Sequence, residues 1–142
     1  MWKEYEKKIN EDVERGLGIH EAAEPAIDDF FKNLKISLEQ VNYTIFRLQT
    51  DQPPLRDSET WDATSTALPE AYQMFQNSFD AVCRRWESVK KSDPFTALYQ
   101  TEFDKILKDC KKLDNALKTL FDINAQAIFA LHYSAFQHFL NS

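Results

Sequence analysis

At 142 residues, 43% hydrophobic and 13% aromatic, the chain is long enough for one real core and too apolar for a disordered segment. Its formal charge is −6, with 8 basic against 15 acidic side chains in residues 1–71 and 9 against 8 in residues 72–142. That balance argues against sequence-independent nucleic-acid binding. Two glycines leave no Gly-rich phosphate loop, and two cysteines make no disulfide scaffold.

Residues 1–18 predict a short first helix carrying Trp2, Tyr5, Ile9 and Val13, closed by Gly16 and Gly18. The stretch is too charged for a signal peptide, and Met1 reads as a native start. His20 and Glu24 follow four residues apart, at a helix start just before Pro25. Two such groups can share a helical face, but two ligands at a fraying end fall short of a metal site, and a solvated cap is the expectation.

Three apolar stripes come next. Ile27, Phe31, Leu34, Leu38, Val41, Ile45 and Leu48 are spaced alternately by four and three. Leu68, Tyr72, Phe75, Phe79, Val82, Trp86 and Val89 repeat that spacing, as do Tyr99, Phe103, Ile106, Cys110, Leu113, Leu117 and Leu120. Alternation of three and four holds side chains on one helical face, with coiled-coil-like packing. Each stripe spans roughly 32 Å at 1.5 Å per residue. The expected fold is all-α: a single domain, 1–142, forming an up-and-down bundle of three long helices plus the shorter N-terminal one. Pro25, Pro69 and Pro94 are read near helix starts, with Ser92 and Asp93 as caps before Pro94. Residues 51–67, with Pro53-Pro54 and Trp61, read as the one long connecting loop.

Chemistry is scarce. No Glu-x-x-His pair exists for a di-iron bundle, and His132 and His138 are six apart, about 240° around a helix. Cys83 and Cys110 fall inside helical patterns and read as buried fillers in a reduced, cytoplasmic setting. Arg84, Arg85, Lys90 and Lys91, then Lys105, Lys108, Lys111 and Lys112, form a basic run with Asp104, Asp109 and Asp114 threaded through it. Mixed signs at helical spacing read as a solvated face. No enzyme, cofactor or metal is expected.

Residues 121–142 are the most unusual segment: from 123 onward no Asp, Glu, Lys or Arg occurs. Eight of its last 20 residues are Asn, Gln, His or Ser, which argues against a membrane span. Beyond Phe121 the apolar arc broadens to add Phe129, Tyr133, Phe136 and Leu140, with His132 beside them. Residues 1–15 or 51–67 are candidate internal covers for that face. The expected function is a non-enzymatic protein-interaction module, an adaptor or accessory subunit, with Phe129, His132, Tyr133, Phe136 and Leu140 contacting another protein or a second copy of the chain. The rival reading is a bundle that holds a small apolar ligand at the same residues.

Overall fold

A computed structural model describes the backbone of residues 1–50 and 58–140, and the side chains of 1–50 and 63–132. The fold is all-α: α1 (Trp2–Glu14), α2 (Ile19–Thr50), α3 (Ser58–Lys90) and α4 (Ala97–Leu140), with no strand among the described residues. The three stripes are the core. Every member is buried except Tyr72, which is half-buried. Two boundaries differ from the sequence reading. Residues 58–67 belong to α3, so the expected 51–67 loop contracts to 51–57, which lie outside the described residues. Pro25 and Pro69 are also inside helices rather than at their starts. A proline removes one backbone hydrogen bond, but Thr64 and Leu68 before Pro69, and Phe75 after it, are buried, and packing on both sides carries the helix through.

The caps explain the other boundaries. Gly16 takes φ +100, its N–H bonds to Val13 O, and the Leu17 N–H reaches back to Asp12 O. That reciprocal pair ends α1 with its last carbonyls satisfied, and the left-handed residue suits glycine. At α4 the cap is Thr96, nearer the helix than Ser92 or Asp93 and on the far side of Pro94. Its Oγ1 accepts the Tyr99 N–H at 3.1 Å, while Asp93 Oδ1 accepts the Phe95 N–H at 3.0 Å and shapes the preceding turn. α4 runs without interruption through Asp122, Ile123 and Asn124.

Contacts divide the chain into two compact units, Met1–Ile36 with Asn77–Asn115, and Ser37–Gln76 with Ala116–Ser142. In the first unit α1 lies on α2. Trp2 and Tyr5 set their rings against Phe30 at 5.0 and 5.5 Å, and Asn33 Nδ2 donates to the Tyr5 hydroxyl. The Met1 amino group lies 3.6 Å from the buried Asp114. An aromatic edge contact then links Phe31 to Phe79, and a tilted pair joins Trp86 to Phe103. The second unit has a mainly aliphatic core, including Val41, Leu48, Leu68 and Leu117 with Phe75, and among the described residues Thr44, Thr64 and Asn124 are its buried polar side chains.

Candidate functional site

Several polar groups of the first unit are engaged with one another. The Tyr99 hydroxyl donates to Glu24 Oε1 at 3.0 Å, so Glu24 is held by the core rather than paired with His20. His20 turns its ring edge-on to Phe95 and Tyr99. Among the described residues no three His, Cys, Asp or Glu side chains gather as a metal ligand set would. Asp28 Oδ1 accepts the Trp86 indole N–H at 2.8 Å and the Lys90 ammonium at 3.1 Å. Lys90 also reaches Glu87 at 3.0 Å and sits 5.7 Å over the Trp86 ring, and the Glu87 and Asp28 carboxylates push its pKa up.

Beside this network a groove of about 290 Å³ has Phe31 and Trp86 at its floor and Lys32, Lys35 and Cys83 on its walls. Burial pushes the Cys83 thiol up to about 11 and the fully buried Cys110 thiol further in the same direction. A reactive cysteine needs the opposite shift. The groove therefore holds no activated nucleophile, and its carboxylates already have a cation.

The second unit arranges its apolar residues differently. On α4, Asn124, Ala127, Ala130 and Leu131 are buried, while Ile128 is 39% and Phe129 71% exposed. Asn124, Ala127, Ala130 and Leu131 thus face the core, and the large aromatic Phe129 faces out. At roughly 100° per residue, Phe129 lies about half a circumference from Ala127 and Leu131. Of the other residues read as the interaction face, His132 is exposed. The side chains of Tyr133, Phe136 and Leu140 lie outside the described residues, although their backbone is helical. Trp2 and Tyr5, offered by the sequence as internal covers of that face, set their rings against Phe30 within the first unit.

Sequence reasoning missed three further residues of this kind among the described residues of the second unit, and the first unit exposes Phe95 at 88% and Leu98 at 68% as well. Tyr43 and Phe46, 61% and 57% exposed, lie on the side of α2 away from Leu38, Val41, Ile45 and Leu48. Met74 on α3 is 73% exposed. The signal was present: Tyr43 and Phe46 are large apolar residues three apart, off the stripe. A stripe search that stops at one face per helix passes over them. No protein-family model matches the chain, and neither a curated protein nor a solved structure is similar to it.

Proposed function

We propose that this chain is a non-enzymatic protein-interaction module, an adaptor or accessory subunit, which docks through the outward apolar side chains of its second unit. The supporting observation is on α4, where Ala127 and Ala130 lie inside and Phe129 outside, with Tyr43 and Phe46 of α2 also turned outward. A helix that is apolar on two faces is one that two sets of neighbours cover. Covering an exposed aromatic side chain is worth roughly 1.5–3 kcal/mol.

The first partner to consider is a second copy of the chain. From residue 123 onward, a stretch that includes Phe129, the chain has no Asp, Glu, Lys or Arg, so a contact there brings none of that segment's own like charges together on a chain of charge −6. Symmetric self-association is also the commonest form of assembly. No described helix is long and apolar enough to cross a membrane.

The test is the double variant Phe46→Glu with Phe129→Glu, co-expressed with a differently tagged wild-type copy. Both residues are exposed, so the thermal melt is expected to shift little, by less than about 1 kcal/mol. Recovery of the second copy is expected to fall. Unchanged recovery alongside an unchanged melt would contradict self-association through these faces. A large loss of stability would show that these side chains are core.

A further inference from the structure

The basic run on α4 does not form the mixed-sign face that its sequence suggests. Asp109, Asp114 and Asp104 are threaded among Lys105, Lys108, Lys111 and Lys112, yet the fold separates the signs. Asp109 turns towards α3, where Oδ2 lies 2.8 Å from Arg85 Nη2, with only 15% of its side chain exposed. Asp114 is 5% exposed and lies beside the Met1 amino group. Two of the three carboxylates are therefore withdrawn from the lysines and matched by other cations.

The lysines remain outside. Lys105, Lys108, Lys111 and Lys112 are all exposed and fall within about a third of the helix circumference at roughly 100° per residue. That arc lies opposite Phe103, Ile106, Cys110 and Leu113, which are buried. Lys105 pairs with Glu102 at 3.2 Å. Among the described residues Lys108, Lys111 and Lys112 have no carboxylate partner. Asp104 shares the arc and stands one turn before Lys108. Even with those two matched, Lys111 and Lys112 leave the face basic on a chain of charge −6.

We infer that this lysine face of α4 is a docking surface for an acidic segment of another protein. From Lys105 to Lys112 the face is roughly 10 Å long, two helical turns. That length suits a few carboxylates spaced a turn apart on a partner helix or loop. Such a pairing sets partner choice and association rate more than raw affinity. A nucleic acid or an anionic bilayer fits less well. Either presents negative charge over a far larger area than two turns of helix. The face lies wholly in the first unit, so the inference stands apart from docking through the second.

The experiment uses a fluorescent ten-residue polyglutamate peptide, with anisotropy read at low and at physiological salt. Two triple variants separate the face from net charge: Lys108→Gln, Lys111→Gln, Lys112→Gln, and a control, Lys3→Gln, Lys7→Gln, Lys8→Gln on α1, with the same charge change at exposed positions. Wild type is expected to bind, more weakly as salt rises. The α4 variant is expected to bind about tenfold more weakly, a change of about 1.4 kcal/mol, and the α1 control within about twofold of wild type. Both variants keep their helical circular dichroism. No binding at low salt, or equal loss in the two variants, would overturn the inference. So would tighter, face-dependent binding of a single-stranded oligonucleotide or of phosphatidylserine vesicles than of the peptide.

Discussion

Tyr99 is 1% exposed, stacks on Phe103 at 5.6 Å and donates to Glu24. Burial first, and then the Glu24 carboxylate, push its pKa from 10.0 up to about 12. A phenol that ionises later in the folded chain than in the unfolded one contributes stability that is complete below the unfolded pKa and is lost as pH rises through the folded one. Tyr5 shifts the same way, chiefly by burial. Urea midpoints are therefore expected to fall between about pH 10 and 12, and Tyr99→Phe to flatten that fall. An identical pH profile for the variant would show that Tyr99 is not a source. Asn124 gives the opposite kind of prediction. It is 7% exposed, and its Oδ1 has no hydrogen-bond partner among the described residues. A buried acceptor left unpaired costs about 1–3 kcal/mol, so Asn124→Leu is expected to raise stability in a urea melt by about 1 kcal/mol or more. A loss instead would mean that the amide is held by a group its fold neighbours do not reveal.

Gly16 belongs to the scale of the element, because it ends α1. A Cβ there would meet nothing within 4 Å, so only the backbone resists substitution. At φ +100, Gly16→Ala is expected to cost about 1–2 kcal/mol, read as a lower urea midpoint. No change would show that the turn relaxes freely. The stripes were legible in the sequence because alternation of three and four is a property of one helix and needs no neighbour. Helix ends were less so. Pro69 looked like a start because a proline's local cost is visible in sequence, while the burial of Thr64 and Leu68 that offsets it is tertiary. Phe129 was legible as an odd residue on α4, but its outward direction was not, since the same wheel permits a widened core. The lysine face was hidden for a related reason. Which way Asp109 and Asp114 turn depends on Arg85 and on the N-terminal amine, and both are distant in sequence.

Across the whole molecule, charge is divided unevenly between the two units, while both expose large apolar side chains, Phe95 and Leu98 in the first among them. The first carries 30 of the chain's 40 Asp, Glu, Lys and Arg residues and ties many of its polar groups into internal pairs. The second carries the other 10 and turns Tyr43, Phe46, Met74 and Phe129 outward. Stability and contact are then separable properties: buried residues such as Leu68 or Phe79 set the melt, and the outward ones set the association. The most direct test is sedimentation equilibrium of the untagged chain over a range of concentrations, beside the Phe46→Glu, Phe129→Glu variant. The account expects wild type to weigh more than its 16.6 kDa monomer, increasingly so with concentration, and the variant to stay at the monomer mass. Wild type and variant both at 16.6 kDa at every concentration would contradict it.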